Sequence, residues 1–221
     1  MRNLKTLGLA VISVLALVAF AGATTASATR LCSTAGTPCA APYASGTTFN
    51  AKLKTGTNAV LTTSGGASNP TLTCTTSTVQ LVSSSAGGGA GVNVTGNLTG
   101  LTFSGCTSVN PAGCSSSATV TGLPKSGTIA WTSGNNGTLT VNAPTVSFTC
   151  TILGFPVNCS FGGSGSVSGT VTGANPAGVK FTNQSIASTG GFGCPTAAVW
   201  NAEYVLTAVS GSPTALFVTN S

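Results

Sequence analysis

The 221-residue chain has a formal net charge of +6 and only 4% charged residues, whereas an ordinary globular protein carries about 25%. It contains no His and no Asp, and its one acidic side chain is Glu203. These absences exclude a Ser-His-Asp triad and the paired carboxylates of most glycosidases, and they leave no ligand set for catalytic zinc, iron or calcium. We therefore predict no enzymatic activity, no cofactor and no metal site.

One catalytic arrangement survives this exclusion, a Ser-Lys dyad at Lys125-Ser126. A catalytic lysine needs a pKa lowered by burial, and nothing in the surrounding sequence indicates burial. We interpret Lys125 as a solvated loop residue. The basic residues are also too dispersed for nucleic-acid binding, which requires several phosphate contacts together. The one close pair, Lys52 and Lys54, would share a strand face, where we expect it to protect a strand edge from unwanted pairing.

The N-terminus has the features of a secretory signal peptide. Arg2 and Lys5 precede an uncharged apolar run from 7 to 20, and small residues ending at Ala28 fit the site that signal peptidase cuts. The apolar run is shorter than the roughly 20 residues that a helix needs to span a bilayer, and no second such run follows. We predict a signal peptide at 1–28 and a mature secreted chain without a membrane span. Five basic residues against one acidic residue leave that chain a net charge of +4.

The remaining chain divides into a loop-like segment at 29–50 and one domain at 51–221. The segment 29–50 carries two cysteines and two prolines, whereas the domain alternates apolar and small polar residues between Gly, Asn and Pro turns. Period-two alternation is clearest in TVSFTCTI at 145–152, and TIAWTSGNNGTLTV reads as a hairpin that turns at 135–137. The same alternation sets further pairs on one strand face: Leu72 with Cys74, Leu139 with Val141, Val179 with Phe181, and Tyr204 with Leu206.

About a dozen such strands and no convincing helix indicate an all-β protein. Short strands with Gly and Ser/Thr turns are typical of an antiparallel sandwich or barrel. We predict a single antiparallel β-sandwich, of Greek-key or jelly-roll type, stapled by disulfides.

Eight cysteines follow the predicted cleavage site, and an even number in an exported chain predicts disulfides rather than free thiols. They are Cys32, Cys39, Cys74, Cys106, Cys114, Cys150, Cys159 and Cys194. Eight cysteines allow 105 pairings. Short separations favour Cys32 with Cys39, Cys106 with Cys114, and Cys150 with Cys159 across the turn at 153–156, which leaves Cys74 for Cys194.

Two tryptophans are the candidates for contact with a ligand. Trp131 shares a strand face with Ile129, which favours a core position. Trp200 follows three small or apolar residues that favour neither core nor surface. Asn201 is the only neighbouring side chain that could bind a sugar hydroxyl.

The segments LTCTTSTVQL, VTGNLTGLTFSGC and VTGLPKSGTIAW resemble a loose group of small exported bacterial all-β proteins. The group includes those labelled protein activator of alkane oxidation and uncharacterised actinobacterial secreted proteins. The shared features here are Cys74, the strand ending at Cys106, and a Gly-Leu-Pro segment followed by Trp131, within 57–133. The resemblance implies an extracellular, non-catalytic protein that acts at the cell surface or matrix, including at hydrophobic substrates. It carries over no functional residues.

The scarcity of charge leads to the functional prediction, because natural β-proteins use charged side chains to prevent edge-to-edge association. We predict a secreted cell-surface or matrix protein that self-associates or adheres, with further copies of itself or matrix components as partners. The alternative is an extracellular binding module for a glycan or hydrophobic surface, with Trp131 or Trp200 as the contact.

Overall fold

The computed structural model describes residues 28–66, 69–109, 113–191, 193–209 and 214–220. The predicted signal peptide lies outside them except for Ala28. The described residues form fourteen strands, in agreement with the all-β prediction, and none of their segments is a helix able to cross a membrane. The strands are β1 Thr29–Cys32, β2 Thr48–Leu53, β3 Ala59–Ser64, β4 Thr71–Ser83, β5 Val94–Val109, β6 Thr119–Thr121, β7 Lys125–Ser133, β8 Asn136–Asn142, β9 Thr145–Ile152, β10 Phe155–Gly162, β11 Ser166–Thr172, β12 Gly178–Ala187, β13 Ala197–Val209 and β14 Phe217–Asn220.

The main sheet closes into an eight-stranded antiparallel barrel, so the predicted sandwich is wrong. Its order is β12-β11-β8-β7-β5-β4-β2-β13-β3, and β12 also pairs with β13. Both β2 and β3 lie between β4 and β13, one after the other, and together fill a single strand position. Alternation of apolar and polar residues is the same in a sandwich and a barrel. What differs is the pairing of β12 with β13, which closes the sheet.

A three-stranded sheet in the order β10-β9-β6 extends the barrel wall at one end. Two isolated bridges connect this sheet to its neighbours, Ser104 with Ser117 on one side and Phe161 with Ser188 on the other. We call this end, where the β9–β10 hairpin turns, the hairpin end. Leu153 and Gly154 form the two-residue turn of this hairpin.

At the opposite end, β1 and β14 form a separate antiparallel ribbon that brings 29–32 against 217–220. The ribbon is held to the β7–β8 hairpin. The Thr29 hydroxyl accepts a hydrogen bond from the Trp131 backbone N–H at 2.9 Å, and the Val218 N–H donates to the Asn135 carbonyl at 2.9 Å. Val218 is completely buried, so the ribbon belongs to the core.

All eight cysteines form disulfides, but only one predicted pair is correct, Cys32 with Cys39. The other bonds join Cys74 to Cys106, Cys114 to Cys150, and Cys159 to Cys194. Strand register explains the errors. In the β9–β10 hairpin Cys150 lies opposite Val157 and Cys159 lies opposite Phe148, so the two cysteines do not face each other. Cys74, by contrast, lies directly opposite Cys106.

The local patterns predicted from alternation are confirmed. Phe148, Cys150 and Ile152 are buried on one face of β9. The hairpin of β7 and β8 is present, although Ser133 pairs with Asn136 and its turn therefore lies at 134–135, not 135–137.

The role predicted for Lys52 and Lys54 is wrong, because β2 has neighbours on both sides and is not an edge. Lys54 instead forms an ion pair with Glu203 on β13, with a 2.6 Å distance between Nζ and Oε1. The physical reason is closure, which removes the exposed edge that these side chains would protect.

Candidate ligand-binding site in the barrel

The inside of the barrel is apolar because alternate residues of every long strand point inward. Leu72, Leu139, Val141 and Phe181 are all buried, as the alternation predicts. The outer face carries hydroxyls instead, as in the 2.7 Å contact between the Thr78 and Thr102 side chains. The lumen is therefore the most apolar environment in the described part of the molecule.

Two adjacent cavities occupy this lumen. The larger, about 120 Å³, lies towards the hairpin end, and Leu61, Phe103, Phe148 and Trp200 are among its lining residues. The smaller, about 80 Å³, lies towards the β1–β14 ribbon and is lined by residues such as Leu31. Both share six lining residues: Ala51, Val79, Leu81, Leu139, Val179 and Tyr204. The two cavities thus meet at one layer of side chains.

An aromatic cluster forms one wall of the larger cavity. The Trp200 ring lies against Phe181, with 4.7 Å between ring centroids, and both rings are 6.4 Å from the ring of Tyr204. Trp200 and Tyr204 are four residues apart on β13 and therefore lie on the same strand face. Phe181 reaches them from the neighbouring strand, β12. Aromatic surfaces of this kind pack well against apolar ligands.

A buried pair of hydroxyls lies at the wall of the lumen, where Tyr204 lines both cavities. The Tyr204 hydroxyl and the Ser77 hydroxyl are 2.9 Å apart, and each residue is only 1% exposed. Burial raises the pKa of Tyr204 above its ordinary value, so the phenol is neutral. The pair carries two protons, and one of them is used in the hydrogen bond between the two oxygens.

The structure separates the two tryptophans predicted as ligand contacts. Trp200 lines the larger cavity. Trp131 lines neither cavity, and its indole N–H donates to the Gly134 carbonyl at 2.9 Å. Asn201 accepts a hydrogen bond from the Asn183 backbone N–H. Asn201 adjoins Trp200 in β13, so its side chain points to the other face of the sheet.

The remaining chemistry-bearing residues do not converge on the lumen. Lys125 and Ser126 are consecutive in β7, so their side chains point to opposite faces, and the Ser126 hydroxyl accepts a hydrogen bond from Asn142 at 2.8 Å. Within the described ranges, no three His, Cys, Asp or Glu side chains cluster in a way that could hold a metal ion.

No family model, curated protein or solved structure matches the chain. The cavities and their lining are therefore the features of the molecule that bear on its function.

Sequence reasoning missed the cavity itself and the role of Ser77. The alternation in EYVLTA does place Tyr204 on the core face, and that in GVKF does the same for Phe181. Ser77 gives no comparable signal, because the chain contains many serines and, among those that the structure describes, only Ser77 and Ser83 are buried.

Proposed function

We propose that this protein is a secreted, non-catalytic binding protein that holds a small apolar molecule inside its barrel. The observation that carries the proposal is the pair of cavities that meet at Tyr204 and have apolar walls. An eight-stranded barrel is wide enough either to be filled by side chains or to hold one small ligand. Here the side chains leave space.

The size and chemistry of the cavities define the ligand class. An engineered apolar cavity of about 150 Å³ in another protein stays dry and binds benzene or xenon. The larger cavity, of about 120 Å³, is of this order, and the smaller one adjoins it. A single ring or a short branched hydrocarbon suits this space. A glycan does not, because nearly all the residues that line the two cavities are apolar and none of them is charged, which leaves few groups to bind several sugar hydroxyls.

The secreted location draws support from the four disulfides, which persist in oxidising compartments. Strand-edge self-association has less support than ligand binding. Each strand of the main sheet has hydrogen-bonded neighbours on both sides, so that sheet offers no edge to a second copy.

The test is a titration of the oxidised mature protein with benzene and with xenon, in which methyl NMR signals report binding. We expect the methyl signals of Val141 and Val167, which line the larger cavity, to shift with saturation. For six carbon atoms, a ceiling of about 1.5 kcal/mol per atom gives at most about 9 kcal/mol, which limits the dissociation constant to about 0.3 μM or weaker.

A pair of matched variants locates the site. Ala51 lines both cavities, so Ala51→Leu should fill their junction and weaken benzene binding at least tenfold. Ala208→Leu makes the same change at an exposed position of β13 and should leave binding unchanged. If the wild-type protein took up neither probe, or if Ala51→Leu bound benzene as well as Ala208→Leu did, the lumen would not be the site.

A further inference from the structure

The tip of the β9–β10 hairpin exposes two large apolar side chains. Leu153 is 77% exposed and Phe155 is 71% exposed, the highest values among the large hydrophobic residues that the structure describes. They are separated by Gly154 and followed by the exposed Pro156. Apolar residues grouped at a protruding turn differ from the single exposed residues that any surface carries.

The backbone of the tip makes the leucine harder to explain as an ordinary turn residue. Leu153 has φ of 52° and Gly154 has φ of 86°, both in the left-handed region that two-residue hairpin turns use. Asn, Asp and Gly are preferred at such positions, and other side chains are disfavoured there. Neither burial nor backbone preference therefore accounts for Leu153. An observed outlier of this kind supports a functional hypothesis.

The hairpin is tied to the molecule on both strands. Cys150, three residues before Leu153, is bonded to Cys114, and Cys159 is bonded to Cys194. The two disulfides tie both strands of the hairpin to the rest of the molecule behind its exposed turn. A tip fixed in this way loses little conformational freedom when it contacts a surface.

No charged residue lies near the tip in the chain or in the adjoining strands. The stretches 126–179 and 55–124 contain no Lys, Arg, Asp or Glu, and neither does the segment at 188–196 that bonds to β10. Insertion of this end into an apolar phase would therefore desolvate no charge.

We propose that the hairpin tip inserts into the boundary between headgroups and acyl chains of an uncharged lipid surface. Two side chains expose roughly 300 Å² of apolar area, given that one aromatic side chain buries about 150–250 Å². A stable protein interface needs about 800 Å² from each partner, together with a complementary shape. A lipid surface accepts a small convex apolar tip without a complementary pocket. The lipid surface is thus the occupant that fits, and this contact does not depend on ligand binding in the barrel.

The test is flotation of the oxidised mature protein with phosphatidylcholine vesicles at 0.1 M and 1 M salt. Each buried apolar side chain multiplies the partition constant by about tenfold to a hundredfold. The variant Leu153→Asn, Phe155→Thr should thus reduce partitioning by at least a hundredfold, because Asn tolerates the left-handed backbone and Thr is a good strand former. Near-ultraviolet circular dichroism and an oxidised intact mass establish that the variant is folded.

The matched control is Val92→Thr, a polar replacement of a 46% exposed residue that lies in the loop before β5. Val92→Thr should leave partitioning unchanged. Partitioning of the wild-type protein should persist in 1 M salt. Three results would overturn the proposal. These are a wild-type protein that stays unbound, a double variant that partitions like the wild type, and binding that requires anionic lipid and low salt. If the wild-type protein formed a dimer and the double variant did not, the tip would contact protein instead of lipid, and the proposal would equally be overturned.

Discussion

Tyr204→Phe removes one hydroxyl from the barrel interior and leaves the aromatic ring in place. The lost group is bonded to the Ser77 hydroxyl at 2.9 Å, and both residues are 1% exposed. The Ser77 hydroxyl would then remain buried without its partner, which costs about 1–3 kcal/mol of unfolding free energy. For a chain of this size the melting temperature should fall by between about 2 and 12 °C.

The double variant distinguishes this reasoning from a simple loss of contacts. Ser77→Ala alone should cost a similar amount, because it leaves the Tyr204 hydroxyl unpaired. Tyr204→Phe with Ser77→Ala removes both polar groups, and replacing both partners by apolar groups is close to neutral. We expect the double variant to be more stable than either single variant, with a coupling of about 1–3 kcal/mol.

The assay is urea unfolding of the four oxidised proteins, compared at a common m value. Tyr43→Phe supplies the control, because the Tyr43 hydroxyl donates to the Ala215 carbonyl at 2.6 Å and shares no partner with Ser77. Its effect should add to that of Ser77→Ala within about 0.5 kcal/mol. If the Tyr204 and Ser77 effects were also additive, the two hydroxyls would not form a coupled pair, and the reasoning from their hydrogen bond would be refuted.

Burial raises the pKa of Tyr204, so the unfolded chain releases its phenolic proton first as the pH rises. The unfolding free energy should therefore fall as the pH rises above about 10. Urea titrations between pH 9 and 11 should show a less steep fall for Tyr204→Phe than for the wild-type protein. Non-reducing peptide mapping should recover Cys74 linked to Cys106. Replacement of both cysteines by serine removes a disulfide with a sequence separation of 32, and it should lower the unfolding free energy measured in urea by about 3–4 kcal/mol. Lys54→Ala should lower the unfolding free energy by less than about 1 kcal/mol, because the Lys54 side chain is 55% exposed in its ion pair with Glu203. A larger loss of stability, measured from the shift in melting temperature, would contradict this.

The sequence by itself determined the local structure of this protein. Alternation in TVSFTCTI predicts that Phe148, Cys150 and Ile152 share the buried face of a strand, and they do. Such patterns are readable because a strand places successive side chains on opposite faces, so burial of one face leaves a period of two. Composition likewise predicted an all-β protein whose eight cysteines form disulfides.

Register and closure were decided only in the tertiary structure. In β4 the buried positions change from even-numbered to odd-numbered residues after Cys74. Leu72 and Cys74 are buried before this point, and Ser77 is buried after it. Alternation within β4 alone cannot predict this change, because it depends on the paired strand β5, in which Phe103 and Cys106 are both buried at the same level and in constant register. The same dependence made Cys74 bond to Cys106, which lies directly opposite it.

The candidate site follows from closure as well. Ser77 and Tyr204 are 127 residues apart and become neighbours only because β4 and β13 both face the same lumen. Short-range patterns contain the periodicity of each strand but not the identity of its distant partners. Pairing of β12 with β13 closes the sheet, and the cavities between its walls exist only once it is closed.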